Sequence, residues 1–124
     1  MREDRPWGYF EVLVSEPKYK VKKITLNPNK KISLQYHLER EEYWVIVKGY
    51  GKIYIEGDKC DLEPGMMWNI KSRQVHRASA GPEGLEFIEV QTGVCYEEDI
   101  VRIEDDYGRV AESVDAPDLK SVEQ

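Results

Sequence analysis

The chain is 124 residues long, 40% hydrophobic and 34% charged, with a formal net charge of −6 and a pI near 5.0. A chain of this length forms one domain around one core, burying roughly two-thirds of the surface that its unfolded form exposes. No apolar run approaches the ~18 residues of a membrane span, and an acidic chain lacks the basic footprint that draws proteins to nucleic acid or anionic lipid, so neither partner is expected.

Met1-Arg2-Glu3-Asp4-Arg5 has no apolar stretch or small-residue cleavage site of a secretory signal, and a cytoplasmic location is expected. Cys60 and Cys95 lie far apart and form no Cys-x-x-Cys pattern. They read as free thiols rather than as a disulfide or a zinc ribbon.

From the N-terminus onward the sequence consists of short β-rich runs separated by turn residues. Strands are expected at Gly8 to Val14, Tyr19 to Leu26, Lys31 to His37, Glu42 to Lys48, Gly51 to Glu56, Lys59 to Leu62, Met67 to Ile70, His76 to Ala80 and Leu85 to Thr92. Between them stand Asn27-Pro28-Asn29, Gly49-Tyr50-Gly51, Gly57-Asp58, Glu63-Pro64-Gly65 and Gly81-Pro82, which supply positive or fixed φ at bends. Period-two patterning puts Tyr43, Val45 and Val47 on one face and Trp44 and Ile46 on the other. Helix is not expected. The sequence divides into one domain over residues 1–109 and an acidic, polar C-terminal tail over residues 110–124.

The stretch with most chemical content is Gln35-Tyr36-His37-Leu38-Glu39-Arg40-Glu41-Glu42-Tyr43-Trp44. Residues two apart on a strand share a side, so Gln35 and His37 project together, and Glu42 can enter from the next strand. His76, after Glu63-Pro64-Gly65, is placed to complete the set. Two imidazoles with a carboxylate and an amide oxygen suit a first-row divalent ion and leave positions open for water or substrate. The sequence has only two histidines, and both fall within this constellation.

The spacing of Gln35, His37, Glu42 and Gly49, followed by Gly65 and His76, resembles the two cupin motifs, with Gln35 where the first motif has its first histidine. The resemblance implies an all-β fold, the double-stranded β-helix or jelly-roll barrel, with Gln35, His37, Glu42 and His76 as metal ligands. Zinc is the first expectation for the ion, with Mn, Fe, Co and Ni as alternatives.

Arg5-Pro6-Trp7-Gly8-Tyr9, Ile32-Ser33-Leu34-Gln35-Tyr36-His37, Arg40, Glu42, Trp44 and His76-Arg77 recur in one order with Ile88-Glu89-Val90-Gln91-Thr92-Gly93, Glu98-Asp99-Ile100-Val101-Arg102 and Asp106-Tyr107-Gly108-Arg109. Together they resemble the type II mannose-6-phosphate isomerase domain, often the C-terminal part of a bifunctional enzyme with mannose-1-phosphate guanylyltransferase. Tyr43 stands where that family usually has histidine, and Leu38 where it often does.

The resemblance implies interconversion of mannose 6-phosphate and fructose 6-phosphate, which needs oxyanion stabilisation and a base beside the carbon acid. Tyr43, Glu89 and a hydroxide on the ion are the open choices for that base, with Arg77 beside His76 completing the catalytic set. Arg77, Arg40, Lys31, Arg102 and Arg109 are the candidates for the substrate phosphate, favoured by guanidinium geometry. A non-catalytic metallo-cupin that binds a sugar phosphate or nucleotide sugar in polysaccharide synthesis is the alternative, and a metallo-oxygenase a third reading. Arg5-Pro6-Trp7-Gly8 is expected to reach a second subunit of a homodimer.

Overall fold

The computed structural model describes residues 2–104. Arg109, the residue 109 boundary and the tail over residues 110–124 lie outside the described residues.

Nine strands and no helix form the described chain: β1 (Arg2–Arg5), β2 (Gly8–Glu16), β3 (Tyr19–Leu26), β4 (Leu34–Tyr36), β5 (Arg40–Ile55), β6 (Asp58–Leu62), β7 (Met67–Ile70), β8 (His76–Gly93) and β9 (Val101–Glu104). All pairings are antiparallel. β8 is the spine: its second half lies between β3 and the start of β5, while its first half lies against the end of β5 and touches β4 at Gln35↔His76. β1 and β2 extend one side beyond β3, β9 extends the other beyond β4, and β6 and β7 pair with β5.

Two pairs of expected strands are single long ones. Glu42 to Lys48 and Gly51 to Glu56 merge into β5, and His76 to Ala80 and Leu85 to Thr92 merge into β8. Register shifts between Ile46 and Lys48 and between Gly49 and Gly51 let β5 bend without ending, so the glycines mark bulges instead of a reversal. Gly49 has φ of 81°, and a Cβ there would lie 2.2 Å from the carbonyl oxygen of Gly84. Only glycine permits the two long strands to approach so closely.

The expected strand at Lys31 to His37 contracts to β4, with an isolated bridge at Lys31↔Ser79. β1 and β9 were not foreseen. Arg5-Pro6-Trp7-Gly8 is the turn of the β1–β2 hairpin, where Arg5 pairs with Gly8 and Trp7 is buried in its own chain's core.

Inward side chains separate along the barrel into an apolar and a polar end. Leu26, Ile46, Ile53, Leu62, Ile70, Leu85 and Phe87 fill the apolar part, with Phe87 stacked on Trp44 at 4.3 Å between ring centroids. Each such side chain contributes about 1.5–3 kcal/mol of burial. The same alternation, continued along β3, β5 and β8, turns Lys22, Glu42, Glu89 and Gln91 inward at the other end. No described helix is long and apolar enough to cross a membrane.

Candidate metal centre

Period two places Arg40, Glu42 and Trp44 on the inner face of β5, and Glu42 is only 1% exposed. His37 enters from the connection after β4, and His76 from the first residue of β8, directly opposite Gln35. His37 Nε2 is 3.0 Å from Glu42 Oε2, His76 Nε2 is 3.9 Å from Glu42 Oε1, and the candidate ligand atoms of His37, Glu42 and His76 lie within 4.8 Å of one another.

Both imidazoles are aimed by hydrogen bonds from their far nitrogens. His37 Nδ1 lies 2.6 Å from the carbonyl oxygen of Asp99, and His76 Nδ1 lies 2.9 Å from that of Gln74. A carbonyl only accepts, so each Nδ1 carries a proton and donates it, and this fixes both rings with Nε2 turned toward Glu42. Burial holds the His76 imidazole neutral, its pKa lowered to about 4. For Glu42, burial pushes the carboxyl up, but His37, Arg40 and His76 together outweigh it and hold the group well below the ordinary carboxylate range.

These residues fit a divalent ion. His76 Nε2 is fully buried and has no hydrogen-bond partner among the described residues, and a bare imidazole nitrogen in that setting is ready to ligate. The His37–Glu42 separation is close to the ~3 to 3.5 Å expected between neighbouring donors that each sit about 2.0–2.2 Å from one ion. His37, Glu42 and His76 can therefore hold a metal. Gln35 lines one cavity with His37 and Glu42, and its Oε1 accepts a hydrogen bond from the Ser33 hydroxyl at 3.2 Å.

Glu42 has further partners. Arg40 donates to its Oε2 from Nε at 3.0 Å and from Nη2 at 2.8 Å, and Trp44 Nε1 donates to its Oε1 at 3.0 Å. Arg40 also donates to the Tyr96 carbonyl at 3.0 Å, which links the site to the segment after β8.

Glu89, opposite Trp44 in the β5–β8 register and opposite Lys22 in the β3–β8 register, lines the same cavity. Burial, then repulsion from Glu42, raises its pKa to about 7, which is the range of a group that both takes and gives a proton at neutral pH. Gln91 Nε2 donates to it at 2.7 Å.

The other expected site residues divide between two faces. Arg40 and Arg102 line the cavity with the metal group. Tyr43 points outward from β5 and is 42% exposed, because its neighbours Glu42 and Trp44 take the inner face. Arg77 follows His76 on β8 and so faces the other way: its Nε donates to the Ile32 carbonyl at 2.7 Å and its Nη1 to Glu104 at 2.8 Å. Lys31 lies with Arg77 on that outer side. Adjacency in sequence, which suggested Arg77 as the partner of His76, is what separates the two on a strand.

Three residues in or beside the site carry no expectation from the sequence: Lys22 and Glu97 line the cavity, and Asp99 supports His37 from behind. Lys22, 4% exposed, bonds Glu97 and lies 4.2 Å from the Phe10 ring centroid. Glu97 receives Lys20 and Lys22; burial pushes its carboxyl up, but the two ammonium groups more than offset that and bring it to about 2. Asp99 accepts the backbone N–H groups of Leu38 and Glu39, each at 2.8 Å. The alternation Lys22, Ile24, Leu26 carried a signal for the first; Glu97 and Asp99 lie in a loop without periodicity.

Residues 2–105 match the family model described as mannose-6-phosphate isomerase C-terminal. The chain belongs to this family. Its relatives include the alginate biosynthesis protein AlgA of Pseudomonas aeruginosa, 39% identical over 110 residues, which cover 87% of this chain and 23% of that protein. A mannose-1-phosphate guanylyltransferase of Escherichia coli K12 is 39% identical over 108 residues, covering 86% of this chain and 23% of the relative. The chain thus spans under a quarter of the length of these relatives. In fold it resembles a Klebsiella pneumoniae protein with a double-stranded β-helix domain, with a TM-score of 0.68, 22% identity, and coverage of 77% and 83% of the two chains. The fold of this family member is therefore the double-stranded β-helix that the sequence led one to expect.

Proposed function

We propose that this chain is a metal-dependent aldose–ketose isomerase acting on mannose 6-phosphate and fructose 6-phosphate. The observation that carries this reading is the placement of Glu89, a buried carboxyl with its pKa raised to about 7, in one cavity with cationic side chains and with His37 and Glu42, to which His76 is joined as the third candidate ligand. Zinc is the proposed ion, since two imidazoles and a carboxylate make a familiar three-ligand zinc set with one position open. Bound there, it would supply Lewis acidity toward a carbonyl and its neighbouring hydroxyl.

The chain's own groups supply the rest. A Glu89 carboxylate takes the proton from C2 of the aldose and returns it to C1, while the proton of the C2 hydroxyl passes to the C1 oxygen, so that the aldehyde becomes an alcohol as the ketone forms. Lys22 and Arg40 bias Glu89 toward the charged form that acts as base. Arg102 and Arg40 keep their proposed role toward the phosphate, joined by Lys22 and Arg5, which line the cavity as well. Tyr43 and Arg77 have no part in this reading, since neither lines the cavity.

A second reading, a non-catalytic domain binding a sugar phosphate in polysaccharide synthesis, is favoured by the Arg40 guanidinium, which already holds the carboxylate that a metal would need. A coupled assay of mannose 6-phosphate conversion on metal-loaded protein separates the two. Turnover lost in Glu89→Gln with metal content unchanged is expected for the isomerase; ligand binding without turnover in the wild type would establish the second reading instead.

A further inference from the structure

Two ammonium groups and one carboxylate meet at the edge of the cavity, of whose lining Lys22 and Glu97 are part. Period two puts Lys20 and Lys22 on one face of β3, Lys20 opposite Gln91 and Lys22 opposite Glu89 on β8. Glu97 comes from the loop between β8 and β9 and closes on both. Lys22 Nζ lies 3.0 Å from its Oε1 and 2.9 Å from its Oε2, and Lys20 Nζ lies 2.9 Å from Oε2.

The cations belong to the framework, whereas the anion is attached only through its loop. The lysine side chains are 13% and 6% exposed. Lys22 Nζ also rests 4.2 Å from the centroid of the Phe10 ring, a contact that holds the ammonium without help from Glu97. The Glu97 side chain is 45% exposed, and its backbone belongs to no strand. The loop is anchored on either side of it, by the Tyr96 carbonyl on Arg40 and the Asp99 carbonyl on His37. Glu97 can therefore swing outward while the strands and these anchors stay in place.

We propose that Lys20 and Lys22 seat the phosphate of the substrate and that Glu97 is its internal stand-in, displaced when a phosphate monoester enters. This rests on the sugar-phosphate reading above. A carboxylate tethered to the chain acts at an effective concentration on the order of millimolar, so a free ligand with one charge and two oxygens gains nothing by replacing it. A phosphate monoester dianion brings a second charge and a third oxygen to the two ammonium groups and displaces it. Glu89, the carboxyl opposite Lys22, carries only part of a negative charge near neutrality, because burial raises its pKa to about 7. Glu97 thus acts in specificity, turning away carboxylates and phosphodiesters.

The test is calorimetric titration of the full, metal-loaded chain with inorganic phosphate, mannose 6-phosphate and acetate. Glu97→Gln keeps the shape of the side chain and removes its charge, and is expected to tighten binding of both phosphate ligands about tenfold. Lys22→Met and Lys20→Gln are each expected to weaken it about tenfold. In the double variant of Glu97→Gln with Lys22→Met most of the gain should vanish, since both residues act at one point. Acetate should bind Glu97→Gln more tightly than wild type. Phosphate affinity unchanged or reduced in Glu97→Gln, or a gain that persists in full without Lys22, would overturn the proposal. The coupled turnover assay keeps the two readings apart: a Glu97 effect on affinity without turnover sustains the phosphate seat and sinks the isomerase, and turnover with phosphate affinity indifferent to both lysines does the reverse.

Discussion

His37 and Asp99 are joined twice: the imidazole Nδ1 meets the Asp99 carbonyl oxygen at 2.6 Å, and the Asp99 carboxylate gathers the two backbone N–H groups that follow His37. One residue of the loop after β8 therefore fixes both the tautomer and the backbone of a candidate ligand. Asp99→Ala removes the carboxylate and frees the segment that carries His37. Metal affinity is expected to fall about 10- to 100-fold, measured by competition with a chromophoric chelator, while Asp99→Asn, which retains one acceptor, loses less.

Gln35 stands opposite His76 across β4 and β8 and lines one cavity with His37 and Glu42, where an imidazole would add a fourth strong donor. Gln35→His should tighten metal binding by about tenfold or more, because imidazole is a better ligand for a borderline ion than an amide oxygen. Conversely His76→Ala should reduce the metal content of purified protein to a small fraction of that of the wild type. Elemental analysis decides both; an unchanged content in His76→Ala would exclude His76 from the site.

Glu89 gives the metal-free protein a distinctive pH dependence. Its folded pKa is raised from 4.5 to about 7, so the native state binds the proton more tightly than the unfolded chain does. The associated stability is fully present below about pH 4.5 and is lost as pH rises through 7. Denaturant melts of wild type and Glu89→Gln are thus expected to run together below about pH 4.5, to separate as pH rises to 7 and to stay apart above it, with the variant the more stable by on the order of 3 kcal/mol. Parallel stability curves at all pH values would contradict the shift.

Trp44 donates from Nε1 to the buried Glu42 carboxylate and stacks on Phe87. Trp44→Phe retains the ring contact but removes a hydrogen bond to a charged acceptor. A loss of about 1.5–3 kcal/mol is expected, read as a lower denaturation midpoint with an unchanged slope.

Gly49 is where β5 passes the β8 backbone. Gly49→Ala places a Cβ against the Gly84 carbonyl and demands a left-handed backbone from alanine. It should destabilise by more than ~2 kcal/mol, whereas Gly57→Ala, at a similar φ of 91° but with open space around it, should cost less.

By itself the sequence determined the strand-rich architecture and the family, because alternation and turn chemistry are local properties and because the spacing of Gln35, His37, Glu42 and His76 survives in one dimension. It also determined which face of β5 is buried, since Trp44 and Ile46 can satisfy their apolar surface only inward. Tertiary structure decided what no local pattern encodes. It fused the expected strands into β5 and β8, since a bulge and a reversal share the same glycines, and it drew Lys22 and Glu97 to the cavity and Asp99 to His37 from distant positions. It also sent Arg77 to the face opposite His76: the strand period of two makes immediate neighbours in sequence look in opposite directions, and only the curled sheet shows which of them looks in.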